Sequence, residues 1–520
     1  MNEPLIKTKV DIYQCPDVDN QHNLGKNKNI TIGDLHGNAI KLIFFLVKQG
    51  VATIEKHDYA RLVTVYQIPV EELTKEDLNE FSTIIHDKMK IINNEANVRL
   101  IGDEFCDRGM GDHYTLWVLD KLHEAKVPLE ILYSNHGGDF ITYTELVGIK
   151  AIDFEGYDFS LGDSNQMQSL THMDALITKD LLSLDKIMEI VQRAYKPTLK
   201  VFAYELSADG KKLSFYSHAP IDMSHVEQVA KQLNIPYDAS TARKLAETID
   251  SINKKFQEYV NKKQTNEIAA SGTALNAVAW NDNQSTLDRS ATRSGYDITF
   301  THGHRSGTVD QDNVYNLDTD LGKNIKMNER EYAITYSFGF SLEYTRKTQL
   351  LQDKCSVYKN HLTNEIKKLA SSLPNELLTQ HYLKDGKPDI DKIADQVSQG
   401  ISLTCTSEGV GNDDVHSSER YPKLYAAVHK YNTVRNMINA LGDDKAPDPI
   451  ADMKKIMMDN NDQLVAHRSH RAIRFFQDIL NILSLGTYSK ATKNTFAFWK
   501  SRGEALVDDI EQNTSSVNPK

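Results

Sequence analysis

The 520-residue chain holds only four cysteines, Cys15, Cys106, Cys355 and Cys405, and none are paired at the spacing of a zinc ribbon or a disulfide frame. None has an arginine six positions later, where a thiolate phosphatase needs one to cradle phosphate; Gln21, Asp112, His361 and Gly411 stand there instead. Cys106 is therefore read as a packing residue. Long apolar runs are also missing. The longest, Leu42 to Val47, is about a third of the ~20 residues a membrane span requires, so no transmembrane segment is expected. Met1-Asn2-Glu3-Pro4 has neither a basic start nor an apolar core, so no signal peptide is expected. A basic excess is absent as well: 60 Lys and Arg against 72 Asp and Glu leave a net charge of -12. No broad face is then available to offset phosphates, and no nucleic-acid partner is expected. At 40% hydrophobic content the chain is too long for one core, which predicts two or three domains.

Against these absences stand five short pieces in a fixed order: Gly33-Asp34-Leu35-His36-Gly37, Gly102-Asp103 closing on Asp107-Arg108-Gly109, Asn135-His136, His218, and Gly303-His304. Any one of them alone would be an ordinary turn or a polar strand end. Together they are not, because each follows a β-branched or apolar run that reads as a buried strand. Asn29 to Ile32 precedes Asp34, Asn97 to Ile101 precedes Asp103, and Leu129 to Tyr133 precedes Asn135. Lys212 to Tyr216 leads to His218, and Asp297 to Phe300 leads to His302 and His304. Strand ends facing one crevice can converge side chains that lie far apart in sequence. The first three strands are each followed by a helical pattern. After Asn38, an N-cap, Ile40, Ile43, Phe44 and Val47 share a face and Gly50 stops the helix; after Asp112, Leu116, Leu119 and Leu122 do the same. The front of the chain is expected to be a βαβαβ unit.

Carboxylate, imidazole and amide oxygen together suit Mn, Fe or Zn. One aspartate shared by two ions is how a water becomes a nucleophile at neutral pH, and Asp103 is the bridging candidate. Arg108 offers a planar fork matched to phosphoryl oxygens. His136 is placed to protonate a leaving oxygen, and Asp107 to orient it.

The blocks Asp34-Leu35-His36-Gly37, Asp103 with Asp107-Arg108-Gly109, and Asn135-His136 resemble those of the PPP phosphoprotein phosphatase family, which has the metallophosphoesterase fold. The later histidines resemble its last two ligands, Trp280-Asn281-Asp282 its tryptophan segment, and Val314 to Thr319 the strand after the final histidine in its bacterial branch. The resemblance covers roughly residues 25 to 325. It implies one ion on Asp34, His36 and Asp103 and another on Asp103, Asn135, His218 and His304, with Mn favoured over Fe or Zn. His304 directly follows a glycine as the family's ligand does, but His302 stays open as the alternative. Three departures stand out. The family writes Gly-Asp-x-x-Asp-Arg-Gly, whereas Glu104, Phe105 and Cys106 intervene here, one residue more. Its Gly-Asn-His-Glu becomes Ser134-Asn135-His136-Gly137-Gly138-Asp139. Asp34 and Asp103 lie 69 positions apart, so residues 51 to 95 read as an insertion.

These variants resemble the type IV-secreted effector phosphatases of Legionella. That resemblance implies phosphotyrosine on host proteins as substrate, passage from the bacterial to the host cytoplasm, and a polar carboxyl terminus, Glu504 to Lys520, read by the secretion machinery. A Ser/Thr phosphatase is the alternative within the class, and a nucleotide polyphosphate hydrolase a third. From another class comes a host-protein-binding scaffold with a residual phosphatase site. The expected organisation is an α/β PPP-like β-sandwich flanked by helices over residues 1–345, then a helical C-terminal domain over 346–520 with a polar tail. A helical hairpin insertion at 222–275 carries an apolar stripe, Leu245, Ile249, Ile252, Phe256 and Val260, read as core or as a substrate-selecting overhang. The tail is interrupted at Ser407 to Ser418, and Arg471 to Leu485 reads as a packed helix or a membrane-surface one.

Overall fold

The computed structural model describes residues 5–18, 29–147, 166–283, 286–305, 312–324, 329–337, 339–371, 383–384, 387–398, 422–443, 446–460, 464 and 470–483. The chain divides into two compact units, Met1–Leu342 and Glu343–Lys520.

All five expected strands form in the first unit. Asn29–Ile32, Asn97–Leu100 and Leu129–Leu132 lie parallel, with Ile32 beside Leu100 and Leu100 beside Ile131. Helices Ala39–Lys48 and Asp112–Glu124 connect them, completing the βαβαβ unit. Asn38 caps the first helix, its side chain accepting from Lys41 N at 3.1 Å. The sheet continues past Leu129–Leu132 to Leu199–Lys200, and its other side is closed by antiparallel Glu329–Ser337 and Leu5–Asp11. A second sheet sets Lys212–Tyr216 parallel to Tyr296–His302, with Val314–Asn316 and antiparallel Ala203–Leu206 beside them. Side chains of the two sheets meet in a cluster of Ile101, Leu132, Ala203, Tyr216, Leu317 and Ala333. Arg99 crosses the same space, donating to Glu205 at 2.7 Å while its guanidinium lies 3.9 Å from the Tyr216 ring centroid. Such a buried cation is tolerable only because Glu130 and Glu205 both neutralise it.

The insertion at 51–95 carries the helices Lys56–Tyr66 and Lys75–Thr83 and the turn Ile84–Lys88 between two short antiparallel strands, Ala52–Thr53 and Lys90–Ile91. The hairpin insertion forms as helices Met223–Gln232 and Ala242–Lys262. Its stripe is core: Leu245, Ile249, Ile252, Phe256 and Val260 are buried. Asn253 ties it down, accepting from Val201 N at 2.9 Å and donating to Phe202 O at 2.8 Å. Its apolar face is thus spent on packing, and substrate selection by that face gains no support.

Among its described residues the second unit is built of helices Leu342–Ser371, Ile390–Ser398, Pro422–Leu441, Pro449–Asp459 and His470–Leu483, with the short strands Leu383–Lys384 and Lys387–Pro388 paired antiparallel. They surround their own cluster, which includes Leu351, Leu362, Val434, Met453 and Phe475. The expected loop at Ser407 to Ser418 and the polar stretch Glu504 to Lys520 lie outside the described residues. Among the described residues no helix is long and apolar enough to cross a membrane.

Candidate metal centre

Each candidate residue leaves the carboxyl end of a strand, and the parallel registers bring those ends to one edge. Asp34 and His36 follow Asn29–Ile32, Asp103 follows Asn97–Leu100, and Asn135 and His136 open the helix Asn135–Val147 after Leu129–Leu132. His218 follows Lys212–Tyr216 and His304 follows Tyr296–His302. The turns are sharp. His36, Asp103 and His304 all adopt left-handed backbone, with φ of 56°, 52° and 68°. Non-glycine residues accept that conformation at a cost of about 1–3 kcal/mol, and they concentrate at functional sites. Gly303 is needed for a steric reason: a Cβ there would lie 1.9 Å from Asp34 Oδ1.

Ligand-type atoms of Asp34, His36 and Asp103 lie within 4.8 Å of one another, and so do those of Asp103, His218 and His304. Asp103 belongs to both groups, and to a third with Asp107 and His136. His218 Nε2 lies 2.8 Å from Asn135 Oδ1 and 3.5 Å from Asp103 Oδ1. Asp34 Oδ2 accepts from His304 N at 2.8 Å. Asp34 Oδ1 and Asp103 Oδ1 are buried with no hydrogen-bond partner among the described residues. Buried carboxylate oxygens left that way are costly unless a cation satisfies them, so this donor set fits divalent metal. His304, not His302, joins the cluster; His302 ends its strand with Nδ1 3.0 Å from Gly303 O.

Asp107 stands between a guanidinium and two imidazoles. Arg108 donates to it at 2.7 Å, His36 Nδ1 lies 3.2 Å away, and His136 Nε2 3.9 Å. Burial pushes the Asp107 carboxyl up, but the His36 hydrogen bond and the His136 and Arg108 charges outweigh it and hold it well below the usual range. Asp34 shifts the other way, raised by burial and by the charges of Asp318 and Asp103. Burial lowers His218 to about 3 and His304 to about 4, leaving both rings neutral and able to ligate.

Three further residues belong to the site. Asp318 Oδ1 lies 3.3 Å from His36 Nε2 and its Oδ2 3.6 Å from Lys323 Nζ. Lys41, buried beneath, donates to Leu321 O at 2.9 Å and to Asp34 O at 2.5 Å, and burial lowers it to about 8. Glu104 is fully buried, which pushes it up to about 8. Asp318 follows strand Val314–Asn316, so the strand-end rule that found the other candidates reaches it too. Lys41 carries no such signal, since a lysine on an amphipathic helix reads as solvated.

Residues 97–323 match the family described as the WipA-like phosphatase domain. The phosphatase domain of the Legionella effector WipB, known as a crystal structure, is 29% identical. The match covers 53% of this chain and 99% of that one, with a TM-score of 0.49. No curated protein matches the chain. The expected resemblance to the effector phosphatases of Legionella is met by the WipA-like family match.

Proposed function

We propose, on the premise that residues 97–323 form a WipA-like phosphatase domain, that this chain is a metal-dependent protein phosphatase acting on phosphotyrosine. The observation that carries the proposal is the sharing of Asp103 between two ligand groups, with buried oxygens on Asp34 and Asp103 left unbonded among the described residues. We read the two sheets as the metallophosphoesterase sandwich. Asp34, His36 and Asp103 would hold one divalent ion, and Asp103, Asn135, His218 and His304 a second, with Mn expected and Fe or Zn as alternatives. Bound there, such a pair supplies a nucleophile from water at neutral pH and neutralises phosphoryl charge.

The chain's own groups do the rest. Asp107 anchors one arm of the Arg108 guanidinium, whose remaining N–H groups have no partner among the described residues and would grip phosphoryl oxygens as a preset fork. His136, whose Nδ1 has no partner among the described residues, sits beside Asp107, suited to passing a proton to the departing oxygen. A tyrosine leaves as a phenolate of pKa about 10, against about 15.7 for water, and so needs less of that proton. Trp280, 47% exposed with its ring 6.2 Å from His304, offers an aromatic wall for an aryl ester.

WipB is described as an effector; by the same likeness we place the substrates of this chain among host phosphoproteins, reached by type IV secretion. The test is turnover of phosphotyrosine, phosphoserine and dinucleotide substrates side by side, with Mn and with chelator. Mn-dependent turnover with phosphotyrosine fastest is expected. Preference for phosphoserine would make the chain a Ser/Thr phosphatase, and no turnover would leave the scaffold reading.

A further inference from the structure

The two departures in the ligand blocks, one residue too many after Asp103 and a glycine in place of glutamate after His136, meet in space. Asp103 and Cys106 both take left-handed backbone, φ 52° and 53°, and the turn they bracket sends Glu104 and Phe105 inward. Phe105 stacks on Phe140 of the helix Asn135–Val147, with centroids 4.1 Å apart, and meets Tyr195 edge-on at 4.8 Å. Glu104 Oε1 accepts from Tyr195 OH at 2.5 Å. A Cβ built on Gly137 would lie 2.8 Å from Ser134 Oγ and 2.9 Å from this same Glu104 oxygen, closer than real Cβ contacts come, so one of the two would have to move; the Ser134 contact is common to every Glu104 background.

Gly137 is the third residue after Ser134, and Ser134 Oγ accepts from Gly137 N at 2.9 Å in the manner of a helix cap. A capping box has Glu or Gln at that third position, reaching back over the first turn. The same Ser134 Oγ accepts from Asp103 N at 3.0 Å, so Ser134 joins the Asp103 block directly to the Asn135–His136 block. A carboxyl group does stand beside this junction. It comes from Glu104, on the neighbouring loop.

We propose that Glu104, braced by Tyr195, is a positioning residue that fills the place of the side chain residue 137 lacks, and so sets Asn135 and His136 against Asp103. The extra residue in one block and the lost glutamate in the other are then a single coupled change. Its consequence for metal binding rests on the metal-centre reading above, but its steric core does not.

The test is a double-substitution cycle in the full chain: Glu104→Ala, Gly137→Ala, the two together, and Glu104→Ala with Gly137→Glu. Melting temperature is read without metal, Mn affinity by titration, and kcat and KM on an aryl phosphate. Gly137→Ala is expected to lower the melting temperature at least twice as much in the wild type as in the Glu104→Ala background. Each single change is expected to weaken Mn binding about 10–100-fold, the usual consequence of losing support behind a ligand. Glu104→Ala with Gly137→Glu should recover at least a tenth of wild-type kcat. Equal temperature losses in both backgrounds would overturn the proposal, as would folded single variants with wild-type Mn affinity. Should Glu104→Ala fail to fold, Gly137→Ala decides alone, since wild-type melting and Mn affinity there refute the crowding. The melting cycle stays readable even if the wild type turns over no phosphoester, so the two readings fail separately.

Discussion

At the scale of single residues, the site is a balance of buried charge. Asp34, Asp103, Asp107 and Asp318 are gathered with His36, Lys41, Arg108 and Lys323. Asp103→Asn removes the carboxylate shared by both groups, so both ions should be lost and turnover should fall below a tenth of wild type; two bound Mn with higher turnover would refute the bridging role. His136→Ala should cost phosphoserine cleavage at least about tenfold more than phosphotyrosine cleavage, because general-acid help is worth about 10²–10⁴-fold and a phenolate needs little of it. Equal losses on the two esters would remove His136 from proton transfer. Metal binding should also depend on pH with a definite sign. Burial pulls His36 down, but its hydrogen bonds to Asp107 and Asp318 outweigh that and lift the ring to about 9. The ring must lose its proton to ligate, so Mn affinity should rise with pH, up to about tenfold per unit, until near pH 9. Calorimetry at several pH values checks this, and a flat profile above pH 6 would contradict it.

At the scale of elements, the centre depends on how closely strand ends approach. Gly303 lets the end of Tyr296–His302 press against Asp34, the first residue after Gly33 beyond another strand in the other sheet. Gly303→Ala should therefore push the Asp34 carboxylate aside and weaken Mn binding by roughly 100-fold, the upper end of the range for such support. Unchanged Mn affinity in a folded variant would mean the sheets can part without consequence. The strands that carry ligands were legible in the sequence because each ends in a distinctive short motif. Leu5–Asp11, Glu329–Ser337 and Ala203–Leu206 were not, since they carry no chemistry and close sheets from far along the chain. The hairpin stripe was legible as amphipathic, but only tertiary packing, with Phe256 edge-on to Tyr133 and Asn253 bonded to Val201 and Phe202, decided that it was core.

At the scale of the whole molecule, every ligand candidate lies in the unit Met1–Leu342, and each unit has its own apolar cluster. A chain ending at Leu342 should stay folded and keep Mn-dependent turnover within a few-fold of the full chain, because a unit with its own core can fold alone. A folded, metal-loaded product without turnover would show that the helical unit completes the site. The sequence by itself determined the order of ligands and the strands that bear them, since a motif at the end of an apolar run is a local pattern. It also determined the helical character of the second unit, where periodicity alone suffices. Tertiary structure decided what surrounds the ligands: Asp318 behind His36, Lys41 beneath Asp34, and Glu104 against Gly137. The longest of these contacts joins His36 to Asp318, 282 positions apart (318 minus 36), and its energy comes from burial and charge that no local pattern encodes.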